Sequence, residues 1–240
     1  GVSGGTVKHM LGLKCIHDIV VNAIDYLHID IPVALHLDHG TTQEACEAAI
    51  AAGFSSIMFD GSHLPFSENL TITRHLVALA HSKGISVEAE LGTIAGSEDG
   101  IVNSEVIYAD PEECYTLVTE TQVDCLAAAL GSTHGLYKGK ARLGFTEMKA
   151  IAERVKVPLV LHGGTGIADE DMRRAIACGT AKINVNTENM YAWCQQVKAI
   201  FAADTGHDVS DPRKVITQGL QPVREMIAHR MALFGSQQRY

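Results

Sequence analysis

Six short apolar segments recur along the chain, and each is followed by a stretch with helical patterning. Val, Ile, Leu and Ala dominate these segments, which show little alternation between apolar and polar positions. This pattern is typical of strands that are buried on both faces, and such strands are usually parallel. The segments span residues 32–37, 56–59, 85–90, 125–130, 159–162 and 182–185. The chain is therefore predicted to consist of repeated β-α units.

The helical stretches have recognisable starts and stops. Residues that can cap a helix stand at the predicted starts, and glycine follows two of the predicted ends. The starts are Thr41, with Glu44 three residues later as in a capping box, Ser67, Asp110 before Pro111, and Asp169. The stops are Gly84, after a helix that runs to Lys83, and Gly179.

Repeated β-α units leave two main architectures, a closed (β/α)₈ barrel and an open doubly wound sheet. The open sheet usually carries a glycine fingerprint after its first strand, and neither GxGxxG nor GxxxxGK[ST] occurs here. We therefore expect an α/β fold of the (β/α)₈ TIM-barrel type, formed by one domain over residues 1–240. Six strands are two short of a barrel, and the glycine-rich start at residues 1–5 is typical of a loop that leaves a strand. The N-terminal strand-helix-strand of the barrel is accordingly expected to be absent from this sequence.

Composition and charge narrow the class of partner. The chain has 28 acidic and 19 basic residues, a net charge of −9, and no cluster of Lys and Arg. Such a chain is expected to bind neither nucleic acid nor an anionic membrane surface. No apolar run approaches the roughly 20 residues that a membrane helix needs, and the cysteines, which form no CxxC pair, indicate reduced thiols. We expect a cytoplasmic protein whose partners are small molecules or other proteins.

Histidine followed by glycine occurs three times, at His39, His134 and His162, whereas composition alone predicts about one such pair. Each pair ends an apolar segment or follows it closely. The carboxyl ends of barrel strands converge on one mouth, so these histidines can meet there. Three imidazoles with an open fourth position suit a catalytic Zn²⁺. The residues alone leave open whether the histidines bind zinc or have structural roles.

Carboxylates accompany the histidines. Asp38 ends a strand directly before His39, and a buried carboxylate is costly unless it is paired or functional. It is a candidate acid/base beside the metal, or a residue that orients an imidazole. Glu90 is a candidate for catalysis, for metal binding or for orienting a ligand. The glycine-punctuated loop at 91–100 is either a segment that closes over the site and delivers a base or a solvated turn.

Two further loops are candidates for phosphate binding. Residues 163–166 (Gly-Gly-Thr-Gly) and residues 184–187 (Asn-Val-Asn-Thr) each follow a predicted strand and precede a helix. If two strands are missing, these are loops 7 and 8 of the barrel. Barrels commonly hold phosphate there, with backbone N–H groups and a helix N-terminus.

Six motifs in a fixed order resemble those of the class II, zinc-dependent fructose-bisphosphate aldolases, and the likeness covers nearly the whole chain. The motifs are HLDHG at 36–40, DGSHLPFSEN at 60–69, VEAELGTIAGSEDG at 87–100, GSTHGLYKG at 131–139, LVLHGGTG at 159–166 and KINVNTEN at 182–189. The resemblance implies a (β/α)₈ barrel whose relatives begin roughly one strand, helix and strand earlier.

The resemblance also implies roles for individual residues. His39, His134 and His162 match the zinc ligands, and Asp38 matches the acid/base that handles the proton on the C4 oxygen. Glu98 matches the loop acid that exchanges the proton at C3 of dihydroxyacetone phosphate. The residues that match the binding site of that substrate are Gly135, Gly163, Gly164, Thr165, Asn184, Val185, Asn186 and Thr187. Arg213 matches an arginine that reaches the second phosphate, often in a neighbouring subunit.

The activity implied is the reversible, zinc-dependent cleavage of fructose 1,6-bisphosphate to dihydroxyacetone phosphate and glyceraldehyde 3-phosphate, in glycolysis and gluconeogenesis. A monovalent cation, Na⁺ or K⁺, and a homodimer or homotetramer are implied as well. A tagatose 1,6-bisphosphate or related ketose-phosphate aldolase is the alternative, although HLDHG, HGGTG and NVNT are more similar to the fructose-specific forms. A zinc hydrolase and a non-catalytic accessory subunit are further alternatives; the phosphate-like loops argue against the first, and the intact histidines against the second.

Overall fold

A computed structural model describes residues 1–98, 101–103, 106–135, 139–204, 210–237 and 239, and describes only the backbone of residues 97, 98 and 101–103. The chain forms an α/β structure around a parallel sheet. Ten strands are found in the described residues: β1 Val2–Ser3, β2 His36–Gly40, β3 Ser56–Phe59, β4 Ser86–Leu91, β5 Ala95–Glu98, β6 Ile101–Asn103, β7 Cys125–Ala128, β8 Thr133–His134, β9 Leu159–Leu161 and β10 Thr180–Ile183. The main sheet has seven strands in the order β1-β2-β3-β4-β7-β9-β10.

Helices connect successive strands of this sheet, as right-handed β-α repeats require. The helices are α1 Gly4–His9, α2 Leu13–Tyr26, α3 Gln43–Ala52, α4 Phe66–His81, α5 Pro111–Thr121, α6 Phe145–Val155, α7 Asp169–Ala177, α8 Thr187–Ala203 and α9 Pro212–Phe234. Their apolar sides pack on the outer face of the sheet. One core of buried side chains extends from Ile16 in α2 to Leu233 in α9.

The sheet curls into a barrel-like form, because side chains of strands at its two ends meet inside it. Asn184, directly after β10, donates to Asp38 of β2 with a separation of 2.9 Å between Nδ2 and Oδ1. Lys182 of β10 and His36 of β2 approach to 3.3 Å between Nζ and Nε2. Strands that far apart in the sheet order make such contacts when the sheet is strongly curved.

The inner and outer faces of the strands have different chemistry. Outer-face residues such as Ile57, Val87 and Leu126 join the main core. On the inner face, Met58, Ala127 and Val160 form a small apolar cluster of their own. The other inner positions are mostly polar, whereas branched apolar residues usually fill a barrel interior. They include His36, Asp38, Ser56, Glu88, Glu90 and Lys182.

All six predicted strand segments overlap a strand of the main sheet, although β2 begins only at His36 and β10 begins earlier, at Thr180. The main sheet has seven strands, one more than predicted. The glycine-rich start contains β1, whose Val2 and Ser3 pair with Leu37 and Asp38. A two-residue strand has too few positions to show a hydrophobic pattern, and the glycines around it predict a loop instead. Strand β2 also runs through Gly40 rather than ending at residue 37. The prediction ended too early because the last three positions of the strand, Asp-His-Gly, are not apolar.

Three of the four predicted helix starts were wrong by one or two residues. Helix α3 is capped by Thr42, whose Oγ1 accepts from Ala45 N at 3.2 Å, rather than by Thr41. Helix α4 begins after Pro65 instead of at Ser67, and Asp169 is the first residue of α7 rather than its cap. Thr41 and Thr42 differ only in backbone conformation, and α4 and α7 begin without a capping side chain, so the residue types do not mark these starts.

The start predicted at Asp110 is confirmed. Its Oδ1 accepts from the backbone N–H groups of Glu112, at 2.8 Å, and Glu113, at 3.0 Å. Pro111 at the first helical position makes this boundary readable from the sequence.

A second, three-stranded sheet lies beyond the carboxyl end of β4 and was not predicted. Strand β5 pairs antiparallel with β6 and parallel with β8. The loop at 91–100 is thus a strand-forming segment over most of its described length rather than a plain turn. Residues 99 and 100 lie outside the described part of the chain.

Candidate metal centre and active site

The three histidines that precede glycine meet at the carboxyl ends of the strands. One ring nitrogen from each of His39, His134 and His162 lies within 4.8 Å of the corresponding nitrogen of the other two. The ring centroid of His39 is 4.5 Å from that of His162 and 5.1 Å from that of His134. Residues 95 and 28 positions apart in the sequence thus form one cluster.

A distortion of β2 turns two consecutive side chains toward the same site. Side chains alternate between faces in a regular strand, so Asp38 and His39 would point to opposite sides. His39 instead has a φ of +49°, and the pairing of β2 with β3 shifts register between Leu37 and Gly40. Both side chains consequently approach His162, with 3.9 Å between Asp38 Oδ1 and His162 Nδ1. A left-handed backbone is uncommon for histidine and is concentrated at functional sites.

Asp60 orients the ring of His39. It follows β3 directly, and its Oδ2 accepts from His39 Nδ1 at 2.9 Å. Ser62 donates to the other oxygen from both its backbone N–H and its hydroxyl. Burial alone would raise the pKa of Asp60, but the hydrogen bonds from His39 and Ser62 outweigh it and lower the pKa to about 2. An ionised Asp60 keeps the proton of the His39 ring on Nδ1.

His134 is placed by the small sheet. In the pairing of β5 with β8, Gly96 stands opposite His134. Gly96 has a φ of +110°, and a side chain at this position would overlap the carbonyl oxygen of His134. Glycine is therefore required for β5 to approach this histidine closely enough to pair with it.

His162 is the most deeply buried of the three histidines, with a side chain only 1% exposed. Its Nε2 donates to Glu88 Oε1 at 2.7 Å. Burial alone would raise the pKa of Glu88, but the hydrogen bond from His162 and the charge of Lys182 lower it well below its usual value. His162 thus has an ionised carboxylate behind it, as His39 has.

Asp38 lies beside the histidines as an ionised and nearly buried carboxylate. Burial alone would raise its pKa, but the electrostatic interaction with the adjacent His162 and His39 rings lowers it. The side-chain amide of Asn184 donates to Asp38 Oδ1 at 2.9 Å and lies 3.3 Å from His162 Nδ1. The carboxylate is therefore held in place at the edge of the cluster.

Glu90 belongs to a second group of possible ligands that shares His39 with the first. Oxygens of Asp60 and Glu90 and a nitrogen of His39 lie within 4.8 Å of one another. Glu90 is 3% exposed, with its Oε2 3.7 Å from His39 Nδ1. Burial and the adjacent Asp60 raise the pKa of Glu90 well above its usual value. The structure thus places Glu90 behind His39, beside the cluster of three histidines.

The two loops predicted to bind phosphate lie side by side. Gly164 N donates to Asn184 O at 3.0 Å, and the backbone N–H of Glu188 donates to Thr165 Oγ1 at 3.4 Å. Gly163 has a φ of +66°, and a side chain there would overlap the carbonyl of Thr133. Helix α8 begins at Thr187, so its N-terminus faces this pair of loops. The remaining members of the predicted set are Gly135, which follows His134 with a φ of +87°, and Val185 and Asn186, which lead into α8.

Two predicted site residues, Arg213 and Glu98, make no described contact with the cluster of three histidines. Arg213 stands at the start of α9 with its side chain 88% exposed, and its side-chain hydrogen bonds among the described residues go to Asp211. The backbone of Glu98 ends β5, while its side chain lies outside the described part of the chain.

Asp60 and Glu88 are functional candidates that sequence reasoning did not single out. Asp60 directly follows a predicted strand, at the same kind of position as Asp38. A carboxylate at a strand end could therefore have been recognised as a candidate site residue. Glu88 stands in the middle of a strand whose neighbours on both sides are buried. A carboxylate at such a position needs a charged or hydrogen-bonding partner inside the fold. This requirement could have identified Glu88 as a candidate site residue from the sequence.

The donor set of the cluster fits a zinc ion. Imidazole nitrogens are common zinc ligands, and three of them leave a further position for a substrate. The rings of His39 and His162 each donate their other N–H to a carboxylate, which is the usual arrangement behind metal-binding histidines. The fold and this site together define the class of protein: a β/α-barrel protein with a candidate metal centre at the carboxyl ends of its strands.

Comparison with known families identifies the class more closely. Residues 1–239 match the family described as fructose-bisphosphate aldolase class-II. The chain belongs to this family, and the resemblance inferred from its motifs is confirmed.

Among the described residues, no helix has the length and apolarity needed to cross a membrane.

Relatives with similar sequences carry the same description. The chain is 51% identical over 236 residues to the fructose-bisphosphate aldolase of Geobacillus stearothermophilus, which covers 98% of this chain and 82% of the relative. It is 49% identical over 239 residues to the fructose-bisphosphate aldolase of Staphylococcus aureus strain N315, which covers 100% of this chain and 83% of the relative.

Solved structures confirm the expected fold class. The YdjI aldolase of Escherichia coli K12 superposes with a TM-score of 0.83 at 32% identity, covering 99% of this chain and 81% of the other. A putative fructose-1,6-bisphosphate aldolase from Coccidioides immitis gives a TM-score of 0.80 at 30% identity, covering 95% of this chain and 81% of the other.

Proposed function

We propose that this protein is a zinc-dependent aldolase that reversibly cleaves fructose 1,6-bisphosphate into dihydroxyacetone phosphate and glyceraldehyde 3-phosphate, as a step of glycolysis and gluconeogenesis. Family membership and relatives at about half identity support the reaction. The observation that carries the proposal is the meeting of three histidines beside the ionised carboxylate of Asp38, which no histidine N–H occupies at hydrogen-bond distance among the described contacts. The zinc ligands in this proposal are His39, His134 and His162. When bound, the ion supplies Lewis-acid polarisation of the ketone oxygen.

Asp38 is the base that accepts the proton of the C4 hydroxyl in the cleavage direction. Its lowered pKa keeps it ionised at neutral pH, and the hydrogen bond from Asn184 fixes one oxygen. The second oxygen is then the acceptor for the substrate proton. Glu98 is the proposed acid that returns a proton to C3, delivered by the loop that contains β5.

The two joined loops are the proposed phosphate site for dihydroxyacetone phosphate. The N–H groups of Gly164, Asn184 and Glu188 donate within the protein. The proposed donors to the anion are other backbone N–H groups of these loops and of the first turn of α8, without any basic side chain. This arrangement explains how a chain of net charge −9 binds a phosphorylated sugar. The proposed contacts are Gly135, Gly163, Gly164, Thr165, Asn184, Val185, Asn186 and Thr187.

Arg213 is proposed to bind the second phosphate in a neighbouring subunit. Its exposure at the start of α9 supports a role toward a partner rather than toward its own cluster. A homodimer or homotetramer follows from this role. A monovalent cation, Na⁺ or K⁺, and a place in the cytoplasm stay predictions from the sequence.

The proposal is tested by measuring triose phosphate release from fructose 1,6-bisphosphate with and without a chelator. We expect the chelator to abolish activity and added Zn²⁺ to restore it. Activity that survives complete removal of the metal would contradict the role of the histidines. A parallel assay with tagatose 1,6-bisphosphate, the C4 epimer, tests the substrate assignment. A higher kcat/KM on tagatose 1,6-bisphosphate would replace the fructose assignment.

A further inference from the structure

A charged cluster lies beneath the three histidines, inside the curled sheet, with a buried carboxylate and a lysine side chain that is 34% exposed. Glu88 of β4 has a fully buried side chain. Its Oε1 accepts from His162 Nε2 at 2.7 Å, and its Oε2 accepts from Lys182 Nζ at 2.7 Å. The proposed reaction uses neither Glu88 nor Lys182. Burying a carboxylate is costly unless each of its oxygens has a good partner, so this pair needs an explanation of its own.

The contact with Glu88 selects one tautomer of His162. A carboxylate only accepts hydrogen bonds, so the proton of a neutral His162 ring lies on Nε2. Nδ1 then carries the lone pair. A contact on the other side of the ring supports the same Nε2–H tautomer. The amide nitrogen of Asn184, which is a donor, lies 3.3 Å from Nδ1 of His162, so Nδ1 is the acceptor.

Lys182 fixes the orientation of the Glu88 carboxylate. An ammonium group only donates, so Lys182 occupies Oε2, to which the Cys125 thiol also donates at 3.6 Å, and Oε1 is left to His162. Lys182 Nζ also lies 3.3 Å from Nε2 of His36, and Nδ1 of His36 lies 2.8 Å from Ser56 Oγ. The chain of contacts thus extends across the interior from β9 through β4 and β10 to β2 and β3. It ties the orientation of one histidine to four other strands of the sheet, including strands near both of its ends.

We propose that Glu88 is a positioning residue that fixes the tautomer and ring orientation of His162, so that Nδ1 is presented to the divalent metal, and that Lys182 anchors Glu88 in this role. The inference rests on the proposed metal centre. Partners of this kind behind a metal-binding histidine typically change metal affinity by 10- to 100-fold when they are removed.

The substitution Glu88→Gln makes a specific prediction because an amide has one acceptor and one donor end. Lys182 requires the acceptor end, so the amide NH₂ group turns toward His162. Nε2 of His162 must then accept, which moves its proton to Nδ1, the nitrogen assigned to the metal. We expect Glu88→Gln to weaken Zn²⁺ binding by 10- to 100-fold. The double variant Glu88→Gln, Lys182→Met removes the competing ammonium group and should recover most of that loss.

The affinities are measured by competition with a chromophoric chelator, and the visible spectrum of the Co²⁺-loaded proteins reports the ligand set. Glu47→Gln is the matched control, because Glu47 Oε1 lies 3.0 Å from His75 Nε2 in a similar pair on the surface. It should leave both the Zn²⁺ affinity and the Co²⁺ spectrum unchanged. Wild-type affinity in Glu88→Gln, or no recovery in the double variant, would overturn the inference.

A measurement on the unaltered chain keeps the inference testable if Glu88→Gln does not fold. Long-range ¹H–¹⁵N NMR of the imidazoles distinguishes the two neutral tautomers, and His162 is assigned by comparison with His162→Gln. We expect the Nε2–H tautomer, and an Nδ1–H tautomer would contradict the inference. A wild-type protein that binds no Zn²⁺ at all would remove the proposed metal centre, whereas a zinc-binding protein with the wrong tautomer would remove only the role of Glu88.

Discussion

At the scale of single residues, the site depends on one backbone conformation. Asp38 and His39 are neighbours, and the φ of +49° at His39 lets both side chains face the interior. Adopting the left-handed region costs a non-glycine residue of order 1–3 kcal/mol. The pairing of β2 with its neighbours and the hydrogen bond from His39 to Asp60 hold the strained conformation in place. The proposed base and one proposed zinc ligand can thus occupy consecutive positions.

Replacing Asp38 by Asn tests the assignment of the base. The amide keeps the shape of the carboxylate but does not accept a proton, so we expect kcat to fall by about 10²- to 10⁴-fold. Zinc content, measured by elemental analysis, should stay at the wild-type level because Asp38 is not one of the proposed ligands. Asp18→Asn, at an exposed position of α2, is the control and should change neither quantity. An unchanged kcat in Asp38→Asn would remove Asp38 from its assigned role.

At the scale of secondary-structure elements, the small sheet holds one histidine from outside the barrel. Strand β8 carries His134 and is paired only with β5 among the described strands. The orientation of this proposed metal ligand therefore depends on the segment that follows β4. The same segment carries Glu98 at the end of β5. One element thus connects a proposed metal ligand to the proposed loop acid.

The substitution Gly96→Ala tests this connection. An added methyl group would overlap the carbonyl of His134 and would strain a φ of +110°. We expect β5 and β8 to separate and Zn²⁺ affinity to fall by at least about 10-fold. Gly84→Ala is the matched control, because its φ of +71° is strained in the same way but nothing lies within 4 Å of the added methyl.

Chelator competition measures the metal affinity of both glycine variants, and thermal unfolding measures their stability. Gly84→Ala should lose about 1 kcal/mol of stability and keep its Zn²⁺ affinity. If Gly96→Ala binds zinc as tightly as Gly84→Ala does, the small sheet does not position His134.

The elements also show which parts of the molecule the sequence could predict. Strands buried on both faces leave a long apolar signal, so the six segments and the repeated β-α order were readable. Strand β1 and the small sheet were missed because β1 and β8 have only two residues, β5 consists of small and polar residues, and β6 has only two apolar ones. The histidine-glycine pairs were visible as a local feature. The roles of Asp60 and Glu88 depend on contacts with residues 21 and 74 positions away, which no local pattern records.

At the scale of the whole molecule, a curled sheet gathers charged groups into its interior. Buried apolar side chains form one outer core from Ile16 to Leu233, which supports the proposal that residues 1–240 are a single domain. Because the outer core supplies most of the apolar burial, the inner face of the sheet can carry polar residues that position the histidines and Asp38. Stability and chemistry are thus separated between the two faces of the same strands.

The proposed role of Arg213 in a neighbouring subunit is tested by mixing two inactive variants. Asp38→Asn lacks the base, and Arg213→Ala lacks the contact to the second phosphate. A hybrid dimer contains one site with Asp38 from one subunit and Arg213 from the other. After subunit exchange, hybrids form about half of the dimers and each has one intact site, so activity should recover to about a quarter of wild type. No recovery in a mixture shown to contain hybrids would place Arg213 in its own site or outside the site altogether.

The central claim is that His39, His134 and His162 bind one divalent ion. Anomalous X-ray diffraction at the zinc edge, from crystals of the protein loaded with one equivalent of Zn²⁺, tests it most directly. We expect one strong peak at about 2.0–2.1 Å from a nitrogen of each of the three rings. A peak held by His39, Asp60 and Glu90, or one that lies away from any of the three rings, would contradict the account.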